Sequence, residues 1–192
     1  MKSFKTVLFV AVVATLAVSA NLRAQETPPG QVEFGKFSPP ASGGEYVEIN
    51  VSKALINMAT KLVAKDEPEI ADLLKNLISV RVNVVGLDAK NRSEMEQRAR
   101  KVRQDLEKRG WEKVVTAQKQ KEDVSIFVKT SDSESVQGLA IVVIEAEKQA
   151  VFVNVVGDIK PEQLAVVGER LNIDPLKKLG PQQQAAATKS EN

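Results

Sequence analysis

The sequence predicts an α+β domain: a mostly antiparallel sheet of about five to six strands with helices packed against it as a two-layer sandwich. Three observations carry this. Residues 123–156 read as three successive strands joined by short turns, with no room for the crossover helices that a parallel sheet needs. Helical periodicity is confined to other stretches, around residues 55–77 and 93–109 and after Gly157. The run Leu139-Ala140-Ile141-Val142-Val143-Ile144 has no polar alternation, so only a strand buried on both faces can keep it from water, and it is the expected central strand.

In chain order, Tyr46 to Val51 alternates as a short first strand, and Asn50 or Ser52 can cap the helix that follows. Leu55, Ile56, Ala59, Leu62 and Val63 recur at helical spacing. Asp66-Glu67-Pro68-Glu69 is a second start signal, with Asp66 as cap and Glu69 completing a capping box, ahead of the stripe Ile70, Leu73, Leu74 and Leu77. From Ser79 to Leu87 the period changes to two, with Val80, Val82 and Val84 on one side of a strand. Ser93 with Glu96 marks another capping box, Met95, Ala99, Val102 and Leu106 form one helix face, and Gly110 supplies a left-handed stop. Trp111 to Ala117 is a strand, and Gln118 to Glu122 turns the chain into the three strands 123–130, 136–145 and 149–156. Gly157-Asp158 then opens a closing helix, with Pro161 near its start and Leu164, Val167 and Leu171 facing one way.

The ends are different in kind. Met1-Lys2-Ser3-Phe4-Lys5 is a basic start and Val7 to Val18 an apolar run too short for a bilayer, which needs about 20 residues. Small residues at Val18-Ser19-Ala20 and Leu22-Arg23-Ala24 suit a leader peptidase, so residues 1–24 are expected to be a signal peptide. Residues 25–45 are rich in proline and glycine and read as a linker, although Val32, Phe34 and Phe37 are apolar enough to dock on the domain. The single α+β domain is placed at 46–174 and a disordered tail at 175–192.

Composition narrows the chemistry. There is no histidine and no cysteine, which removes the Ser-His-Asp and Cys-His nucleophile systems, disulfides and the usual zinc or copper sites. Without a cysteine after the apolar run, the chain is not expected to be a lipoprotein. Removing Lys2, Lys5 and Arg23 from the 27 basic residues leaves 24 against 25 acidic ones, so no basic excess remains to bind nucleic acid. The basic cluster Arg98, Arg100, Lys101, Arg103, Lys108 and Arg109 is interleaved with acids and reads as a solvated helix face. Asp88, Glu94, Asp132, Glu134, Asp158 and Glu162 are the candidates for paired-carboxylate catalysis, but each has a structural explanation in a turn or a first helical turn. No catalytic, cofactor or metal residue is assigned.

Strand alternation does predict a surface. If Val124, Ile126, Val128, Val151, Val153 and Val155 face one helix layer, then Phe127, Val142, Ile144, Phe152 and Val156 point to the other face, which is too apolar to be left in water. Any part not covered by a helix, or by Phe34 and Phe37, is the candidate site for partner docking or self-association.

The helix from Ile70, the strand Val80 to Val85, the long helix ending at Gly110-Trp111, the hairpin Ile141 to Val155, and Gly157-Asp158-Ile159 followed by a helix ending Leu171-Asn172-Ile173 together resemble an exported bacterial family, domain of unknown function 4252. The resemblance covers about Tyr46 to Ile173 and implies no catalytic residues or cofactor. The sequence expectation is an exported bacterial envelope protein, periplasmic or extracellular, with no membrane span once the leader is cleaved, acting as a non-catalytic partner-binding or regulatory module. Its partner would be an envelope protein or a second copy. The alternatives are a carrier of a small apolar ligand and a hydrolase using carboxylates alone.

Overall fold

Among the described residues, valine-rich strands form one open sheet and three amphipathic helices pack on it. The computed structural model describes residues 27–131, 135–160 and 163. The elements run β1 (Tyr46–Val51), α1 (Lys53–Val63), α2 (Pro68–Asn76), β2 (Leu77–Gly86), α3 (Arg92–Lys108), β3 (Glu112–Lys119), β4 (Glu122–Thr130), β5 (Val136–Glu145) and β6 (Gln149–Ile159). The strands lie in the order β1-β2-β6-β5-β4-β3, and every neighbouring pair is antiparallel. This is the α+β architecture that the sequence predicts. β5 and β6 are the central pair, and Leu139, Ala140, Ile141, Val142 and Ile144 are all buried.

The order explains where the helices go. β1 and β2 are neighbours, so the α1–α2 pair returns the chain to the strand beside the one it left. From β2 the chain must reach β3 at the opposite edge, about 19 Å away across four strand spacings. α3, with 17 residues and so about 25 Å long, is long enough to cover that span. The helices therefore divide between the two faces. Met95, Ala99, Val102 and Leu106 of α3 pack with Phe127, Val142, Ile144 and Phe152. Ile56 of α1 and Leu73 of α2 pack on the other face with Ile126, Leu139, Ile141 and Val155.

Local signals differ from the sequence reading at several joints. α2 begins at Pro68 with Glu67, not Asp66, in the cap position. α3 begins at Arg92, and the reciprocal box is Asp88 with Asn91 instead of Ser93 with Glu96. The Asp88 carboxylate accepts the Lys90 and Asn91 N–H groups, and the Asn91 side chain accepts the Asp88 N–H. Gly110 does stop α3, at φ +71°, and the Lys129 ammonium donates to the Arg109 and Gly110 carbonyls there. The turn expected at 118–122 is shorter, because β3 runs to Lys119 and β4 starts at Glu122. Gly157-Asp158 does not open a helix. β6 continues to Ile159 and Gly157 pairs with Leu77, where a Cβ would meet the Asn76 carbonyl oxygen at 2.5 Å. That glycine serves close backbone approach rather than a turn. The expected leader, Asp132-Ser133-Glu134, the expected closing helix with Leu164, Val167 and Leu171, and the expected tail lie outside the described residues.

Candidate functional site

The face predicted for docking is closed. Phe127, Val142, Phe152 and Val156 have 1% of their surface or less exposed and Ile144 has 7%, so none of the five can meet a partner without displacing what lies above. Two layers share the cover. α3 lies over β5 and its neighbours, and residues 30–37 form a strap beside it, with Val32 and Phe34 buried in the same cluster and Phe37 packed against it. Phe34 and Phe37 stack on Phe152 with ring centroids 5.5 and 5.1 Å away. The stretch read as a linker therefore supplies core. Its apolar residues were visible in the sequence, but not the pocket that receives them.

Polar groups tie the strap down. Asn154, fully buried in β6, accepts the Val32 N–H at 3.0 Å and donates to the Gly30 carbonyl at 3.0 Å and the Leu139 carbonyl at 3.2 Å. Gly30 lies against Gly138 so closely that a Cβ on Gly138 would come within 2.6 Å of the Gly30 Cα and of Trp111. Arg98 of α3 donates to the Phe34 and Lys36 carbonyls, sits 4.6 Å over the Phe37 ring and pairs with Glu94 at 2.9 Å. Arg109 donates to the Gln31 carbonyl, and Arg81 pairs with Glu33 at 3.1 Å. Members of the basic cluster thus act as donors to backbone carbonyls. Only the tertiary fold brings those carbonyls to them.

The carboxylates are distributed as structural groups. Asp88 lies in the α3 box, and its carboxyl is held below the ordinary value of 3.8 by the Ser42 hydroxyl and the Asn91 and Lys90 N–H groups. Hydrogen bonds from Gln31 and Arg81 hold Glu33 below 4.5, and the Lys121 ammonium does the same for Glu147. These shifts favour the ionised form, opposite to what a general acid needs. Glu94 pairs with Arg98 and Asp158 is exposed, while Asp132, Glu134 and Glu162 fall outside the described residues. Among the described residues, no three His, Cys, Asp or Glu side chains are grouped to hold a metal.

An open cleft of about 410 Å³ lies between α3 and the β3–β4 turn, walled by Glu96, Arg100, Arg103, Lys121 and Asp123. Arg103 Nη1 donates to Asp123 at 2.6 Å, while its Nε and Nη2 are buried without a protein partner. Neighbouring acids offset the arginines, so the cleft has mixed charge and selects no ligand sign.

Unsatisfied apolar surface lies elsewhere. On α1, Leu55, Met58 and Leu62 are 50, 61 and 80% exposed, and Ile49 on β1 is 44% exposed. They share one side of the molecule. Val51, two residues from Ile49, belongs to the cluster that α1 covers, so Ile49 points to the α1 face. Lys53 of α1 donates to the Lys75 and Leu77 carbonyls at the end of α2, which fixes the α2 side of the helix. Leu55, Met58 and Leu62 lie around the helix from there, toward the β1 edge. Helical spacing groups Leu55 and Leu62 on one face with Ile56. The buried residues are instead Ile56 and Thr60, a narrower strip.

Among the described residues no helix is long and apolar enough to cross a membrane. No curated protein and no solved structure matches the chain. A family model described as a domain of unknown function, DUF4252, matches residues 43–167, more than half of the sequence, and the chain belongs to that family.

Proposed function

We propose that this protein is an exported bacterial envelope protein that works by binding a protein partner, as a non-catalytic or regulatory module. The observation that carries the binding role is the gathering of Ile49, Leu55, Met58 and Leu62 at one edge of the domain, where large apolar side chains remain in water. Burying a Leu or Met that is exposed stabilises a complex by about 1.5–3 kcal/mol per side chain, so such a cluster favours association. Export rests on the basic start and apolar run of residues 1–24. The absence of histidine and cysteine removes the commonest hydrolytic mechanisms.

Affinity capture from envelope extracts tests the binding role, with wild type compared against Leu55→Ser plus Leu62→Ser. A protein held by the wild type and lost by the folded double variant supports it. Identical capture by both removes the α1 surface from consideration. Intact mass of the protein from the producing cell tests export: the chain should begin at Gln25, or at Asn21 if the upstream site is cut. Retention of Met1 would overturn that part.

A further inference from the structure

The two edges of the sheet are built differently. β3 carries Glu112, Lys113 and Lys119 and has a register irregularity between Lys113 and Val115, features that keep a strand edge from pairing with another. β1 carries neither lysine nor proline and pairs with β2 in unbroken register from Tyr46 to Val51. Among the described residues no strand pairs with its outer side.

Backbone parity says which groups that edge presents. The Gly86 N–H donates to the Glu45 carbonyl at 2.7 Å, and the register makes these two residues opposite each other. In an antiparallel ladder the bonding residues alternate, so Glu45, Val47, Ile49 and Val51 aim their N–H and C=O groups at β2. Tyr46, Glu48 and Asn50 aim theirs outward. A second strand must therefore bond to even-numbered residues.

We propose that two copies of this chain join through their β1 edges, antiparallel, with Ile49 at the two-fold axis and the α1 stripes packed together. This rests on reading the α1 and β1 surface as an interaction site, and it names the occupant as a second copy. Parity allows few registers. With Glu48 on the axis, two Glu48 carboxylates would face each other, which is unfavourable. With Ile49 on the axis, Glu48 lies opposite Asn50 of the second copy, and each such pair exchanges both N–H···O bonds. The Asn50 amide already donates to Glu48 within one chain at 3.4 Å, so the two side chains are compatible neighbours. On the α1 face, Ile49 then meets its own copy and Val47 meets Val51. Each contact is matched in chemistry by the same surface on the other copy, which a two-fold interface requires.

The helices fit this arrangement. A helix packs about 10 Å from its neighbour and so covers about two strands of roughly 4.8 Å spacing. α1 packs on β2 and α2 reaches β6, so α1 is the outer helix of this layer, the one nearer β1. A two-fold axis at the β1 edge brings the second α1 in from the side where Leu55, Met58 and Leu62 stand exposed.

The chain has no cysteine, so a single introduced thiol reads the register without background. Opposed residues in a non-hydrogen-bonded antiparallel pair have Cα atoms about 4.5 Å apart, within disulfide reach, whereas two copies of residue 47 would be about 13 Å apart. Under mild oxidation Ile49→Cys should cross-link to a disulfide dimer, and Val47→Cys and Val114→Cys should not. Light scattering on the chain purified from the producing cell should give twice the chain mass. Ile49→Lys should halve it while the variant still melts cooperatively, and Val114→Lys on the β3 edge should leave it doubled. A monomeric wild type, or equal cross-linking at positions 47 and 49, overturns the inference. If the monomer instead captures a different protein through Leu55 and Leu62, the dimer falls and the binding-module reading survives. If it floats with phosphatidylglycerol vesicles, the stripe serves a lipid surface and both fail.

Discussion

The two faces of the sheet are closed by different means. One is sealed by α3 and the strap: Phe127 and Phe152 are fully buried, and Asn154, Arg98 and Arg109 bond to strap carbonyls. The other lies under α1 and α2, where Val124, Val143 and Val153 remain partly exposed and the stripe on α1 faces water. A face covered by irregular chain must satisfy the backbone groups of that chain, and here Asn154 does so from within the core and Arg98 and Arg109 from nearer the surface. A face covered by helices needs no such groups, because helices satisfy their own backbone. It can leave apolar residues free for another chain to cover.

The strongest way to break the contrast is to empty the sealed face. Phe127→Ser together with Phe152→Ser should abolish cooperative melting, since removing a buried Phe costs about 3–5 kcal/mol and a domain holds only about 5–15 in total. Survival of a sharp transition in thermal circular dichroism would show that the strap and α3 do not seal the face. Next comes a charge under α3. Ala99→Asp or Leu106→Asp should lower stability by several kcal/mol, while Arg100→Asp, whose side chain is 59% exposed, should cost well under about 1 kcal/mol in urea unfolding.

A finer test addresses the polar latch. Asn154→Leu leaves the Val32 N–H and the Gly30 carbonyl buried and unpaired, at about 1–3 kcal/mol for each group, and should speed amide exchange along residues 30–37 before it affects β5. Uniform acceleration over the whole sheet would mean that the strap does not open separately. On the other face, Leu62→Ser should change the stability of the dissociated single chain by no more than about 0.5 kcal/mol, because within one chain the side chain is already largely in water. A larger loss would make the α1 stripe structural.

The smallest effect is on pH. Hydrogen bonds lower the folded pKa of Asp88 below 3.8, so its stabilisation is present above that value and is lost as pH falls through the lower folded value. Acid titrations of wild type and Asp88→Asn should therefore diverge above about pH 4, with the wild type more stable, and converge at lower pH.

Much of this was legible in sequence. The burial of the Leu139–Ile144 run on both faces, the α3 stripe and the stop at Gly110 all follow from period and from one glycine. The choice of Ser93 and Glu96 as the α3 box failed because Asp88 and Asn91 make equally good local partners, and spacing alone does not rank them. Leu55 and Leu62 share helical spacing with the buried Ile56 yet stand in water, because spacing fixes a side of a helix but not how wide a strip its neighbours cover.

What the sequence by itself determined is the set of elements and the side of each strand on which every residue lies, because side-chain period is a property of the local backbone. What only the tertiary structure decided is what covers each side. Arg98, Arg109 and Asn154 meet residues 30–37 across more than 60 positions of chain, and no local pattern records a contact of that range. The same holds for the edges: among the described residues β1 and β3 are the outer strands because β6 takes the place beside β2, a pairing set by the packing of the whole sheet.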